Sequence, residues 1–391
     1  AFMQDSGLQM NKSPGYPWNK RFPGISGKYP FFQDAECPHR QKWHIKDPEL
    51  YQRVTERLEL AFKGKTPDNS IWLDVMKDEL RPKEKCANGG TRIINAPPLD
   101  LMIVMNILFG AFRINWMDPD HVGEPLESAL GLDPKDWFPR RALTLRQALI
   151  LFGIDFTKFD STQPLQMYEL VALIINLWYD QNPDNLPEHN LARETILMEI
   201  GQTLHLFLDE LYTDDHGLPS GVPGGFTTII NILVKRLLAM ITFGRTGLAL
   251  PLYKKTTRNL FMGDDGEHVV LPTGNEEIDE RLKKYNRVTL AAVANEIGMK
   301  ATMPDKISAL TPSDTFEQMT FLKSAYVDAV IPGYYLPGMS KETIGNLINW
   351  YRPRKNPQQF ETNLSEALKF AAVHGKEYYE TLRAALLANP K

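Results

Sequence analysis

The sequence predicts an α+β fold, a sheet with helices packed on one face. Three observations carry this. The centre of the chain reads strand, helices, strand, strand, helix, and the pattern from 340 onward is wholly helical. With 43% apolar residues in a chain of 391, there is ample material for a large core and two or three subdomains.

The elements follow in order. Residues 1–45, rich in Pro, Gly and aromatics, read as ordered but irregular. In "DPELYQRVTERLELAFKGK", Asp47 caps a helix, Pro48 fits its first turn and Gly64 marks its end. A short apolar stretch, "IWLDVM" (71–76), leads into a charged run at 77–92 with strand-like alternation, and a buried helix spans about 100–113. "ALILFGIDF" (148–156) reads as a buried strand ending on an aspartate. Helical periodicity returns at 164–180 and about 188–210. The turn "GLPSGVPGG" (217–225) then opens a helix to about 241. A hairpin at 258–271, for which Asp-Gly is a turn signal, precedes an amphipathic helix at about 276–298.

Composition excludes several classes. A net charge of −4 argues against a protein that simply coats polyanions, though not against a local basic channel. The two cysteines, Cys37 and Cys86, cannot form a disulfide framework and fit a reducing compartment. No segment reaches the roughly 18 uncharged apolar residues of a membrane span, and no signal peptide is visible. The start at Ala1 reads as excision from a longer product or as a fragment.

Four stretches carry chemistry. Asp155 leaves an apolar strand, Asp160 follows five positions on, and Asp264 and Asp265 sit in "FMGDDGEHVV". Strand-end carboxylates brought together repel unless a cation lies between them. Oxygen ligands without His or Cys point to Mg²⁺ or Mn²⁺. "KDELRPKEKCANGGTRIINA" supplies Lys77, Arg81, Lys83, Lys85 and Arg92, suited to a phosphate chain; the plainer alternative is a solvated, salt-bridged ribbon. In "LPSGVPGGFTTIIN", glycines allow close approach to a nucleotide, and Ser220, Thr227 and Asn231 offer small hydrogen-bonding groups. Trp116, Trp137 and Trp350 read as core rather than as base-stacking platforms. "RPRK" (352–355) is either an RNA contact or an exposed basic turn.

In this order, the basic run, DxxxxD, SG…T…N and GDD resemble the RNA-dependent RNA polymerases of positive-strand RNA viruses. The similarity is to the picornavirus-like supergroup, with its picornavirus, calicivirus, dicistrovirus and iflavirus types. "SPGYPW" (13–18) resembles the template-guiding motif, "GMKATMPDK" (298–306) the segment with the catalytic lysine, "TFLKS" (320–324) the primer grip and "INWYRPRKN" (348–356) the start of the thumb. The resemblance implies a right hand of fingers, palm and thumb, with an antiparallel palm sheet backed by helices and a helical thumb. It places partial fingers at 1–146, palm at 147–185, a fingers/palm connection at 186–216, palm at 217–325 and thumb at 326–391, with part of the N-terminal fingers missing.

It further implies two Mg²⁺ (or Mn²⁺) ions on Asp155 and Asp264, with Asp265 in a lesser role, and Lys306 as general acid. Lys77, Arg81, Lys85 and Arg92 would bind triphosphate. Asp160, Ser220, Thr227 (or Thr228) and Asn231 would read the ribose 2′-hydroxyl. Ser13, Pro14, Gly15, Gly221, Phe321, Leu322 and Lys323 would meet template or primer. The implied partners are RNA template and primer, rNTPs, a protein primer and other viral replication proteins, in host cytoplasm at membrane-associated replication complexes. Three departures stand out: Met262 occupies the usual Tyr position before GDD, the Ser220–Asn231 spacing is longer, and Ser324 follows "FLK" where Arg is usual. A reverse transcriptase shares the paired aspartates but not the 2′-hydroxyl set. A non-catalytic RNA-binding fragment is the rival from another class.

Overall fold

Asp47 caps the helix Pro48–Ala61 as its sequence predicts, accepting the Leu50 amide at 3.0 Å, with Pro48 in the first turn. A computed structural model describes residues 8–34, 43–79, 81, 83–118, 120, 123, 126–328, 332–349 and 358–388, the side chains of Asp34, Trp43 and Lys85 aside. The chain divides into two compact units, one of 1–121, 156–236 and 295–300, the other of 122–155, 237–294 and 301–391.

The first unit is built on a four-stranded sheet in the order 93–96, 71–76, 203–207, 210–214. Strand Ile71–Met76 is antiparallel to Ile93–Ala96 (Met76 opposite Ile93) and parallel to Thr203–Phe207 (Ile71 opposite Leu204). The helix expected over 188–210 runs only from Pro187 to Gly201, and a hairpin, Thr203–Phe207 with Glu210–Asp214, follows. Gly201 ends the helix, and "TLHLF" alternates its burial as a strand does. Helices Pro48–Ala61, Leu99–Trp116 and Pro187–Gly201 are pinned by a buried polar cluster. Arg57 donates to Asp100 at 2.8 Å and to Glu199 at 2.6 Å, and the Trp18 indole N–H donates to Asp100 at 2.7 Å.

Within the charged run, where strand-like alternation was expected, the described residues Lys83–Ala87 form a short helix. Helices Leu99–Trp116 and Phe226–Gly244 prove long and apolar enough to cross a membrane by length and composition, which the sequence reading did not anticipate, yet most of each is buried in the protein. Trp116 and Trp137 are core residues, 4% and 7% exposed. Trp350 and the 352–355 segment lie outside the described residues.

The second unit carries two three-stranded antiparallel sheets. One orders 150–153, 265–270 and 260–262; the other orders 320–321, 324–328 and 335–339. The second sheet and the helix Pro134–Arg146 were not legible beforehand, although Asp133 caps that helix and Pro134 opens it. Trp137 and Phe138 of the helix pack with Leu151, Val269, Phe321 and Tyr326 in one core. Each such side chain contributes about 1.5–3 kcal/mol when fully buried. The single helix expected over 276–298 is two, Glu276–Leu282 and Arg287–Glu296. Between them Tyr285 turns inward, fully buried, and its hydroxyl accepts from Asn259 at 3.1 Å and meets His268 Nδ1 at 2.8 Å. Helices Lys341–Asn349, Gln359–Val373 and Lys376–Ala388 make the described C-terminal part helical, as expected.

Candidate active site

Within the second unit, the hairpin around Gly263 presents the paired aspartates. Strand Leu260–Met262 pairs with Asp265–Val270, with Met262 opposite Asp265, so Gly263 and Asp264 form the two-residue turn. The turn therefore lies two residues before the Asp-Gly dipeptide, Asp265–Gly266, that signals it. Gly263 adopts φ +61°, the conformation a primed hairpin turn requires there, and Asp264 is left exposed at the tip. Met262 packs against the core beneath.

Strand Ile150–Gly153 pairs with the same central strand, with Gly153 opposite Glu267. Continued by two residues, this register would bring Asp155 opposite Asp265, beside Asp264. Asp155 Oδ2 is buried and makes no hydrogen bond. The Lys306 ammonium lies 2.7 Å from it as an ion pair. Lys306 is 64% exposed and adopts φ +63°, uncommon for a side-chain-bearing residue.

Asp265 and Glu267 share one face of their strand, and both reach the 320–339 sheet. Asp265 Oδ2 accepts the Leu322 amide at 2.8 Å, and Glu267 accepts the Tyr326 hydroxyl at 2.6 Å. Glu267 is wholly buried and pairs with Arg141 Nε at 2.9 Å. Burial pushes its carboxyl above the usual range, while Arg141 and the Tyr326 hydroxyl pull it back. Leu322 and Lys323 form a two-residue turn with φ +50° and +62°, so two side chains occupy positions that favour Asn and Gly. Phe321 is buried against Trp137, whereas Leu322 and Lys323 are exposed.

The remaining candidates lie in the first unit. Asp160 Oδ1 accepts from Asn231 Nδ2 at 2.7 Å, and Asn231 Oδ1 accepts from Gln163 Nε2 at 2.6 Å. Gln163 was missed by sequence reasoning; its place three residues after Asp160 was the available signal. Thr227 is not in that chain of bonds; its hydroxyl donates to the Val222 carbonyl at 3.3 Å. Ser220 instead meets Asn95, a second missed residue: its amide donates to Asn95 Oδ1 at 3.1 Å, and its Oγ accepts the Asn95 amide at 3.2 Å. Pro14 and Gly15 are buried and Ser13 exposed, with Ser13 Oγ accepting the Gly15 amide at 3.1 Å.

Three predicted triphosphate cations gather on one carboxylate. Glu79 lies 3.5 Å from Lys77 Nζ and 3.2 Å from Arg81 Nε, and Arg92 grips it through Nε at 2.6 Å and also through Nη2. The Arg92 hydrogen bond chiefly, against burial, holds the Glu79 carboxyl down at about 2. A shared counter-ion, rather than strand alternation, collects these cations. Lys85 lies in the helix Lys83–Ala87, its side chain outside the described residues. Pairing to Glu79 is complete above the ordinary glutamate range near 4.5 and is lost only as pH falls through about 2. Glu79→Gln is therefore expected to tighten inorganic tripolyphosphate binding several-fold at low ionic strength between pH 6 and 8, with the gain shrinking as salt screens it. Titration calorimetry at two salt concentrations checks this; weaker binding would show that Glu79 orients the cations more than it neutralises them.

Among the described residues, no group of three or more His, Cys, Asp or Glu is gathered as a metal cage. The donor set nonetheless fits Mg²⁺, which takes one or two carboxylates and leaves its other positions to water and substrate phosphates. Asp155 Oδ2, buried and without a hydrogen bond, is such a donor, and its ion pair with an ammonium shows that the position accepts a cation.

A family model described as viral RNA-dependent RNA polymerase matches residues 5–388. The chain is 27% identical over 398 residues to the genome polyprotein of Rice tungro spherical virus (strain Vt6), covering 96% of this chain and 11% of that polyprotein. It is 26% identical to the replicase polyprotein of Acute bee paralysis virus (strain Rothamsted), covering 95% of this chain and 19% of the relative. To the genome polyprotein of human hepatitis A virus genotype IIA it is 28% identical, over 85% of this chain and 14% of the relative. It thus spans a small part of each polyprotein. Among solved structures it is similar to the Sicinivirus 3Dpol RNA dependent RNA polymerase, with a TM-score of 0.75 and 25% identity, covering 98% of this chain and 73% of that one.

Proposed function

The chain belongs to the viral RNA-dependent RNA polymerase family, and on that premise we propose that it adds rNMPs to the 3′-hydroxyl of an RNA primer on an RNA template. Its α+β architecture is that of a right-hand polymerase, and the family's activity is RNA-directed nucleotidyl transfer. The observation that supports the site assignment best is the Asp155 carboxylate, buried and hydrogen-bond-free at Oδ2 and paired with Lys306.

The family is generally metal-dependent; here Asp155 and Asp264, with Asp265 beside them, would hold two Mg²⁺ or Mn²⁺ ions. Bound there, the ions would lower the pKa of the primer hydroxyl and offset charge on the leaving pyrophosphate. Asp155 and Asp264 supply hard oxygen donors on a rigid sheet, so little reorganisation is needed. Lys306, its ammonium largely exposed, is the group to donate a proton to departing pyrophosphate. Lys77, Arg81 and Arg92, with Lys85, offset the charge of the incoming triphosphate. Asp160 and Asn231, braced by Gln163, read the ribose 2′-hydroxyl together with Ser220. Thr227, bonded to a backbone carbonyl, holds the loop instead. Ser13, Pro14, Gly15, Gly221 and the Phe321–Lys323 turn would guide template and primer. Other viral replication proteins would join it on host cytoplasmic membranes.

Extension of a self-priming RNA hairpin with rNTPs and Mg²⁺ tests this reading. The parent chain is expected to extend it and Asp264→Asn is not; a parent that binds the hairpin and never extends it would favour the RNA-binding reading. Asp160→Ala is expected to weaken rNTP-over-dNTP preference by at least about tenfold, because a site built to bond the hydroxyl rejects the sugar lacking it. Single-nucleotide incorporation of matched rNTP and dNTP measures this, and unchanged selectivity counts against the role given to Asp160.

A further inference from the structure

Gly221 has no room for a side chain, since a Cβ there would come within 1.7 Å of the Asn95 carbonyl oxygen and 3.0 Å of Pro97 Cδ. Gly15 is bound by a similar constraint, its Cβ position lying 2.1 Å from the Pro97 carbonyl oxygen. Two glycines from distant stretches thus press on the backbone that leaves strand Ile93–Ala96. Ser220 is tied to the same place. Its amide donates to Asn95 Oδ1 at 3.1 Å, and its Oγ accepts the Asn95 amide at 3.2 Å and donates to the Ile93 carbonyl at 3.4 Å.

What fixes Asn95 lies behind it. Asn95 Nδ2 donates to Asp74 Oδ1 at 2.7 Å, and Asp74 is buried, 4% exposed. The same carboxylate receives His205 Nδ1 at 3.0 Å and the Tyr212 hydroxyl, and the His205 ring stacks on Tyr212 at 5.0 Å. His205 Nε2 in turn meets the Thr203 hydroxyl. Burial acts to raise the Asp74 carboxyl, but the hydrogen bonds from His205, Tyr212 and Asn95 outweigh it and hold it below the usual range. An ionised carboxylate only accepts hydrogen bonds. Asn95 must therefore turn its NH₂ group to Asp74, which leaves its carbonyl oxygen facing Ser220. The amide is oriented by a buried anion, not by the surface.

We propose that Asn95, oriented by Asp74, is the positioning residue for Ser220 and Gly221, and that ribose selection through Ser220 depends on it. The selectivity half of this inference rests on the reading of Ser220 as a ribose contact. The orientation half does not. Asn95 touches neither sugar nor template in this role; it sets where the Ser220–Gly221 backbone lies on the strand edge.

Two measurements on the intact chain test it, using Ser220→Ala, Asn95→Ala and the double variant. Amide hydrogen exchange of the segment containing Ser220 is expected to speed up by about tenfold in Asn95→Ala, the scale of one lost hydrogen bond. Preference for rNTP over dNTP in single-nucleotide incorporation should fall by about the same factor in both single variants. The double variant should be no worse, because the residues act as one unit. A residue that merely stabilised the sheet would lower the melting temperature and leave selectivity alone. Unchanged exchange, or losses in the two single variants that multiply in the double, would overturn the proposal while leaving Ser220 its role. If Ser220→Ala itself selects rNTPs like the parent, the ribose reading of Ser220 falls, and the selectivity claim for Asn95 falls with it. Asn95→Ser, polar but too short to reach Ser220, replaces Asn95→Ala if that variant folds poorly and carries the same expectations.

Discussion

Asp155→Asn is expected to slow RNA primer extension by about 10³-fold or more, with the fold intact. The substitution keeps shape and hydrogen-bonding reach while removing the charge that would hold a divalent cation. The site tolerates it structurally, because Asp155 Oδ2 makes no hydrogen bond and its ion pair is with a largely exposed lysine, worth little to stability. Asp264→Asn should cost a comparable factor, since Asp264 sits at an exposed two-residue turn. Asp265→Asn separates the roles. Asp265 Oδ2 accepts the Leu322 amide at 2.8 Å, and an Asn carbonyl oxygen can do the same, so a smaller loss of about tenfold is expected. Single-turnover extension with circular dichroism as a folding control measures all three. Equal and large losses in the three variants would make Asp265 a full ligand. Near-parental rates in Asp155→Asn would remove Asp155 from the metal site.

Arg141→Ala is expected to destabilise the second unit by about 3–5 kcal/mol, because it leaves Glu267 buried without its cation. Glu267 is wholly buried, paired with Arg141 at 2.9 Å and bonded by the Tyr326 hydroxyl, so the three join helix 134–146 and the 320–339 sheet to the strand that follows Asp264. Extension should fall with stability, since the hairpin loses a fixed support. The effect is testable as a lowered midpoint of chemical denaturation. The double variant Arg141→Met with Glu267→Leu should recover much of the loss, because replacing both charges by apolar groups of similar volume leaves no stranded ion. A single-variant cost below about 1 kcal/mol would show that Glu267 takes up a proton and needs no partner.

The linear signals that proved readable were local. Asp47 and Pro48 announced a helix start, Asp-Gly and the apolar flanks of the aspartate pair announced a hairpin, and the apolar run of 148–156 announced a buried strand. Where signals competed, the reading failed. Apolar residues at 203–207 continue a helical spacing closely enough to hide a strand, and only pairing with Ile71–Met76 makes it one. Tyr285 could not be seen as a break between two helices, because what turns it inward is a hydroxyl contact with His268 and Asn259, distant in sequence. In the triphosphate run the cations were visible, but Glu79 as their shared counter-ion was not, since nothing in the spacing distinguishes it from the other acidic residues there.

By itself the sequence determined the family, the order of the motifs and the residue types on which the chemistry depends, because turn geometry, capping and ordered motif spacing are properties of short segments. The tertiary structure decided which polar groups act together: Lys306 with Asp155, Asp265 with the Leu322 amide, Gln163 with Asn231, and Asp74 behind Asn95. The reason is physical. A buried polar atom must be satisfied by whatever the fold brings within about 3 Å of it, and that partner can lie a hundred residues away.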